Sequence, residues 1–269
     1  MPDPYQAPDQ LDPQVLDAIV QRLEERGENA RFQAMIAAYL AEIPPDRPLS
    51  VLDLGCGTGV VTRRLSEHLH PEAEVHGLDV SERFLAEARR LAPESRIQWR
   101  LSSGTELPYP DASFDWVVLH TVLSHLPDPL ATLREVRRTL RAGGRAVLFD
   151  ADYASTTFAY PDLALMRETD FRLLAAVAAN LDVCRQLPRY LAEAGLSLDR
   201  HVGDVLSEAG RGDYYLSSVQ GFAKLIPALG ILSAEEGRAW VEHMLAAHEA
   251  GTFFASCTYY TFYASRPST

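Results

Sequence analysis

The sequence predicts an α/β protein in which a parallel sheet is covered by helices on both faces. Between residues 49 and 149, short apolar segments of strand length alternate with segments of helical periodicity. Such alternation is typical of parallel sheets, which bury both faces under helices. The chain has 269 residues, of which 47% are hydrophobic and 23% are charged. These values indicate a globular protein built around one large domain.

Two amphipathic helices precede the alternating region. Apolar side chains recur at helical spacing over residues 16–23 and again over residues 32–40, so each stretch presents one apolar face. The break Pro44-Pro45-Asp46 ends the pair.

The alternating region itself predicts five strands. They are expected over residues 49–54, 74–78, 97–101, 116–119 and 146–149. The helices between them begin near Val60, after the capping residue Ser81 and at Pro129.

The regularity ends after Asp152. Helical stretches follow over residues 162–194, 214–229 and 234–250, with a short strand expected after Gly195. Residues 252–264 are rich in Phe, Tyr and Thr, which favour strands. We therefore predict a doubly wound sheet with helices inserted late in the chain.

Charge and cysteine content exclude several classes of function. The 37 acidic and 25 basic side chains give a net charge of -12, which repels nucleic acids and anionic membranes. Cys56, Cys184 and Cys257 are too few and too scattered for a disulfide framework or a zinc cluster. We find neither a targeting segment nor the roughly 18 apolar residues of a membrane span. A cytoplasmic protein without nucleic-acid, membrane or metal partners is expected.

A glycine-rich segment, Val51-Leu-Asp-Leu-Gly55-Cys-Gly57-Thr-Gly59, leaves the first strand and enters a helix. Glycines allow the tight turn and let a ligand approach main-chain N–H groups at the positive end of the helix dipole. Asp79 ends the second strand, 20 residues beyond Gly59, where an acid can bind two ribose hydroxyls.

Two other interpretations of this segment stay open. Any strand-to-helix turn can use glycines, and Asp79 would then only cap a helix. A nicotinamide or flavin dinucleotide is the second alternative, but its motif spaces the glycines as G-x-G-x-x-G to accommodate a pyrophosphate. Here the spacing is Gly55-x-Gly57-x-Gly59 with Asp53 just before it, which favours a positively charged ligand without phosphates.

The glycine segment resembles the first motif of class I S-adenosylmethionine-dependent methyltransferases. The resemblance covers about residues 50–152 and is strongest to the subgroup of quinone-biosynthesis C-methyltransferases and natural-product methyltransferases. The other segments that carry it are Gly77-Leu-Asp-Val80, Leu107-Pro-Tyr-Pro-Asp-Ala-Ser-Phe-Asp115, Leu123-Ser-His-Leu-Pro-Asp128 and Gly143-Gly144-Arg145. It implies a Rossmann-like sheet of seven strands whose last strand is antiparallel, a place that the segment after Gly251 fits.

The resemblance also implies a division of the chain and its partners. Residues 1–45 would form an N-terminal helical lid, residues 46–152 the cofactor-binding core, and residues 153–269 the rest of the sheet with helical substrate-capping insertions. The cofactor would be S-adenosylmethionine, with S-adenosylhomocysteine as product. The acceptor would be a small, apolar or aromatic metabolite of secondary metabolism methylated on O or C, and the assembly to test is a homodimer.

Roles of single residues follow from the same resemblance. The backbone at Gly55, Cys56, Gly57 and Gly59 would wrap the methionine part of the cofactor. Asp53 would support the loop and the ammonium group, and Arg31 would pair with the cofactor carboxylate. Asp79 would bind the ribose and Val80 would pack on the adenine. Ser103, Gly104 and Thr105 would border the adenine edge, although the family often has Asp at the position of Ser103.

His120, at the carboxyl end of the fourth strand, would lie near the reactive methyl group. His120 and His125 are the candidates for a general base, which is needed only if the acceptor is held as a neutral phenol or alcohol. For His125, a role in organising its loop competes with catalysis. Aromatic residues available to line an acceptor pocket are Tyr153, Phe158, Tyr160, Tyr214, Tyr215 and Phe222.

Three alternatives remain beside this interpretation. Asp150 and Asp152 could support a divalent metal, but a third oxygen ligand is not evident. A macromolecule methyltransferase is disfavoured by the charge and by Leu119-His-Thr-Val122, which stands where an Asn-Pro-Pro-Tyr type motif would be expected. A protein that keeps the fold but catalyses another reaction, such as a cyclisation, is distinguished by whether S-adenosylhomocysteine accumulates.

Overall fold

The computed structural model describes residues 3–93 and 95–268, without the side chains of residues 228 and 229. Met1, Pro2 and Thr269, which belong to the predicted lid and C-terminal region, lie outside the described residues. The strands found are β1 Ser50–Leu54, β2 Glu74–Asp79, β3 Gln98–Leu101, β4 Phe114–His120, β5 Leu140–Phe158, β6 Ser197–Gly210 and β7 Phe253–Ser265. The α-helices are α1 Pro13–Glu28, α2 Ala30–Leu40, α3 Val60–His68, α4 Glu82–Leu91, α5 Pro129–Thr139, α6 Leu163–Ala175, α7 Val183–Ala194, α8 Tyr214–Leu229 and α9 Ala234–Ala250.

The strands form one seven-stranded sheet in the order β3-β2-β1-β4-β5-β7-β6. Strands β1 to β5 are parallel, and β7 runs antiparallel to both β5 and β6. The predicted α/β fold with an antiparallel last strand is therefore confirmed. The strand order reverses between β1 and β4, and in open α/β sheets ligands bind at such a switch point, beyond the carboxyl ends of the strands.

The second half of the sheet is longer than the sequence predicts. Strand β5 continues to Phe158 because β7 pairs with its extension, where Thr157 is opposite Ser256 after an irregularity in the register. Strand β6 is 14 residues long instead of short and pairs with β7 along its length. The predicted helical stretch 162–194 contains the two helices α6 and α7.

Two hydrophobic clusters cover the two faces of the sheet. Because successive side chains of a strand point to opposite faces of the sheet, Val51 packs in one cluster and its neighbour Leu52 in the other. Phe158 packs edge-on against Trp240 with ring centroids 5.4 Å apart. Tyr215 and Phe222 are buried in the same cluster. Of the aromatic residues that the sequence offered for an acceptor pocket or for the core, these three are core residues.

Candidate active site

The glycine loop between β1 and α3 is held tightly against β2. The N–H groups of Gly55 and Cys56 both donate to the carbonyl of Leu78, at 2.8 and 2.9 Å. Gly55, Gly57 and Gly59 have φ of 73°, 54° and 83°, the left-handed region that glycine adopts without steric cost. At Gly59 a Cβ atom would also lie 2.6 Å from the ring of Trp99. The glycines thus serve both the turn and the close packing of α3 against the sheet.

The carboxylate of Asp79 joins this loop to the start of α4. Its Oδ2 accepts the Gly57 N–H at 2.7 Å, and its Oδ1 accepts the Ser81 N–H at 3.0 Å. Burial raises the pKa of Asp79, although these backbone hydrogen bonds act in the opposite direction. Each carboxylate oxygen has a further lone pair. Asp79 can therefore accept the ribose hydroxyls as well as stabilise the loop.

Asp53 lies beneath the loop and is 1% exposed. Its Oδ2 accepts a hydrogen bond from the Thr62 hydroxyl at 2.6 Å, while its Oδ1 has no hydrogen-bond partner among the described residues. Burial, together with the nearby Asp79, raises the pKa of Asp53 to about 7 although the Thr62 hydrogen bond acts in the opposite direction. A buried oxygen without a partner is costly. The site therefore fits a ligand that brings a positive charge or a donor to this loop.

An apolar shelf lies beside Asp79. Val80 is 45% exposed, and Leu101, opposite Asp79 in the β2–β3 register, is 52% exposed. Ser103 and Thr105 are exposed as well, and their hydroxyls are 3.3 Å apart. Leu101 was not among the predicted site residues, although its position as the last residue of a strand next to Asp79 was a usable signal.

His120 ends β4 and is half-buried. Its Nδ1 lies 3.0 Å from the Tyr39 hydroxyl, and its ring stacks on Phe149 with centroids 4.5 Å apart. Burial lowers the pKa of His120 well below its usual value, and Arg26 and Arg64 lower it further. The imidazole is therefore neutral at pH 7, the form that can accept a proton. Tyr39 of α2, whose hydroxyl bonds the His120 ring, was not among the residues that the sequence predicted for the site.

His125 holds the chain's N-terminal segment, residues 3–11, here called the N-terminal strap. Its Nδ1 lies 2.8 Å from Oδ2 of Asp3, which also accepts the Ala179 N–H at 2.9 Å. The ring of His125 lies 4.4 Å from that of Tyr5. These contacts favour an organising role for His125.

The strap also contacts the start of α4. The Asp9 carboxylate accepts hydrogen bonds from the Ser81 hydroxyl and, at 2.8 Å, from the Glu82 N–H. Helix α1 follows and covers the glycine loop, with Arg63 of α3 bonded to Glu24 at 2.7 Å. The predicted N-terminal segment therefore lies over the loop, but Asp3 and Asp9 had no recognisable signal in the sequence.

Arg31, the residue expected to pair with the cofactor carboxylate, lies beside β6. Its Nη2 donates to the Val205 carbonyl of β6 at 3.2 Å, and its described hydrogen bonds do not include the glycine loop. The arginine of the N-terminal helices that contacts the site is Arg26, which donates to the Thr121 hydroxyl at 2.8 Å. Thr121 directly follows His120 and has a φ of 54°, a strained conformation of the kind that clusters at functional sites.

Asp150 and Asp152, which were expected after the fifth strand, lie within the longer β5 and have structural partners. Asp150 accepts the N–H groups of Ser124 and Ala151, at 3.1 and 2.9 Å. Asp152 forms a bidentate ion pair with Arg185, with a shortest distance of 2.9 Å. Over residues 3–93 and 95–268, no group of three or more His, Cys, Asp or Glu side chains is placed to hold a metal ion.

Part of the chain matches a known protein family. A family model described as a methyltransferase domain matches residues 52–148. A 37.1 kDa uncharacterised protein of transposon TN4556 from Streptomyces fradiae is 33% identical over 214 residues, covering 78% of this chain and 61% of that protein. The chain thus spans less than two thirds of this relative.

Two further proteins are similar to the chain. The ubiquinone/menaquinone biosynthesis C-methyltransferase of Desulfotalea psychrophila is 26% identical over 194 residues, covering 72% of this chain and 75% of that protein. The S-adenosylmethionine-dependent methyltransferase of Mesorhizobium loti shares the fold, with a TM-score of 0.51 and 24% identity over 86% of this chain and 96% of its own.

Residues 52–148 thus carry a methyltransferase domain, and the chain has the fold of an S-adenosylmethionine-dependent methyltransferase. The similar proteins include methyltransferases of quinone biosynthesis. None of the described helices is both long and apolar enough to cross a membrane.

Proposed function

We propose that this chain transfers the methyl group of S-adenosylmethionine to a small, apolar or aromatic acceptor at an oxygen or carbon atom. The observation that carries this proposal is the joint geometry of Asp53, the glycine loop and Asp79. A buried oxygen without a partner among the described residues, a half-buried glycine turn and a buried acid follow one another along the carboxyl edge of the sheet. The order of these groups is complementary to the ammonium group, the methionine chain and the ribose of S-adenosylmethionine.

The residues that would hold the cofactor are distributed along that edge. Asp53 would face the ammonium group and the loop Gly55–Gly59 the methionine part, while Asp79 would accept the ribose hydroxyls. Val80 and Leu101 would support the adenine, with Ser103, Gly104 and Thr105 at its edge. The cofactor supplies an electrophilic methyl group on a sulfonium.

The chain's own contribution to the reaction is mainly alignment. Effective molarities for well-oriented groups reach about 10⁵ to 10⁸ M, whereas a general base typically adds about 10² to 10⁴. His120 would supply such a base when Nδ1 donates its proton to the Tyr39 oxygen, which leaves Nε2 free to accept a proton. His125 would act by holding the strap.

The test is formation of S-adenosylhomocysteine by the full chain with a panel of quinols, phenols and naphthols. We expect at least one acceptor to yield stoichiometric methylated product, detected by mass spectrometry. Consumption of an acceptor without S-adenosylhomocysteine would favour a cofactor-binding protein that catalyses another reaction, such as a cyclisation. Methylation of RNA or protein alone would overturn the small-molecule acceptor.

The N-terminal strap and α1 would act as a lid, because the acceptor must enter a site that then excludes water. We expect hydrogen exchange to slow on S-adenosylhomocysteine binding over residues 5–40 and over α8, which Arg22 of α1 contacts through Ser217 and Ser218 at 2.8 Å. Protection confined to the glycine loop and Asp79 would show that these segments do not close over the ligand. A cytoplasmic location and a homodimer are parts of the same proposal that fractionation and light scattering would test.

A further inference from the structure

Two arginines of α1, Arg22 and Arg26, lie one helical turn apart. Neither forms a salt bridge with any acid of the part of the chain that the structure describes. Arg22 is bonded to the hydroxyls of Ser217 and Ser218, and Arg26 to the hydroxyl of Thr121. In a chain with a net charge of -12, two adjacent cations without a counter-ion need an explanation.

The surroundings of Arg26 are rich in phenols. The Tyr214 ring lies 5.0 Å from the Arg22 guanidinium, and the Phe32 ring beside Arg26 contacts the rings of Tyr214 and Tyr259 at 5.0 and 5.2 Å. Tyr5 and Tyr153 contact the His125 ring at 4.4 and 6.2 Å. These tyrosines come from four different segments: α8, β5, β7 and the N-terminal strap. Within the described residues, their hydroxyls have no side-chain or main-chain hydrogen-bond partner. Tyr214 and Tyr259 therefore lie next to the arginine pair, and Arg26 reaches Thr121, the residue that follows His120.

Arg26 is also reachable from outside. A cleft between the C-terminal half of α1 and the start of α8 is lined by Arg22, Arg26, Tyr214 and Ser217. The same cleft is also lined by the acids Glu25, Glu28 and Asp213, which are exposed, whereas Arg22 and Arg26 are half-buried. Because exposed carboxylates are screened by solvent, an anion is attracted to the half-buried arginines and the aromatic rings beside them. The Phe32 ring lies 5.6 Å from the Arg26 guanidinium and 5.2 Å from the Tyr259 ring.

We propose that Arg26, supported by Arg22, binds an ionised oxygen of the methyl acceptor, a carboxylate or phenolate carried on an aromatic ring. The inference rests on the proposed function and makes it narrower, because it assigns an anionic group to the acceptor. Guanidinium bound to an oxyanion gives a charge-assisted, orienting contact. The tyrosine hydroxyls would donate to the same oxygen, and the rings would pack on the acceptor's aromatic face.

The carboxylate of the cofactor is a second anion that Arg26 can bind. The experiment therefore distinguishes an anionic acceptor from the cofactor carboxylate. Calorimetry on the full chain saturated with S-adenosylhomocysteine would compare 2-naphthoate with its neutral amide, 2-naphthamide. We expect naphthoate to bind about 10- to 100-fold more tightly, the range of a charge-assisted contact. Arg26→Gln should abolish this preference, and Arg26→Lys should keep part of it.

Matched controls distinguish the outcomes. Arg189→Gln, at an exposed arginine paired with Glu193, should retain the preference for naphthoate. Equal binding of the two probes by the wild type, or a preference that persists in Arg26→Gln, would overturn the proposal. So would a loss of S-adenosylhomocysteine affinity in Arg26→Gln with retained affinity for methylthioadenosine, because Arg26 would then bind the cofactor carboxylate. Failure of the wild type to bind S-adenosylhomocysteine would instead overturn the proposed function.

Discussion

Replacement of His120 by alanine is expected to lower kcat by about 100-fold or more with an acceptor found in the panel, if the imidazole removes a proton. Burial and the cations Arg26 and Arg64 keep His120 neutral at pH 7, so the base is fully available there. The wild-type rate should therefore be flat above pH 7 and should fall only as pH drops through a value below the ordinary imidazole pKa of about 6.5. The alanine variant should lose this pH dependence.

Tyr39→Phe and His125→Ala are the controls for this prediction. Tyr39→Phe removes the oxygen that bonds Nδ1 while keeping the ring, so it should lower kcat without weakening cofactor binding. His125→Ala releases Asp3 and the strap, so it should lower thermal stability together with activity. A loss of only a few-fold in His120→Ala with an unchanged pH profile would assign His120 to pocket shape. The same few-fold loss is expected if the acceptor is bound beside Arg26 with its reacting oxygen already ionised, because no base is then needed.

Asp79→Ala is expected to weaken S-adenosylhomocysteine binding by about 1 to 3 kcal/mol, which is roughly 5- to 150-fold in Kd. The variant loses the acceptor for the ribose hydroxyls and also leaves the N–H groups of Gly57 and Ser81 without their partner. Titration calorimetry measures the change directly. Circular dichroism and thermal unfolding would show whether the loop variant keeps its fold.

Asp111→Ala serves as the matched control, because Asp111 is 77% exposed and contacts only Arg138 among the described charged groups. Its affinity for S-adenosylhomocysteine should equal that of the wild type. An unchanged Kd in a folded Asp79→Ala protein would remove Asp79 from the ribose role. Tighter binding of a nicotinamide dinucleotide than of S-adenosylhomocysteine would overturn the cofactor assignment itself.

Features that depend on local sequence were predictable. The alternation of strands and helices follows from apolar periodicity, and the bounds of α8 and α9 are the predicted ones. The glycine loop and Asp79 were also visible, because a strand, a turn and a helix that follow one another along the chain constrain each other's geometry. Periodicity tells which side chains are buried but not which partners they contact, so the sequence left Phe158, Tyr215 and Phe222 open to a pocket or a core role, and the structure places them in the core.

Tertiary structure alone decided the contacts between distant segments. Asp3 and His125 are 122 residues apart in the chain, and Arg26 and Thr121 are 95 apart, so no local pattern links them. The same holds for Tyr39 beside His120 and for the extension of β5, which exists because β7 pairs with it. The cofactor loop is thus determined by its own short sequence, whereas the acceptor side of the site is assembled from segments that only the folding of the sheet and the N-terminal helices brings together.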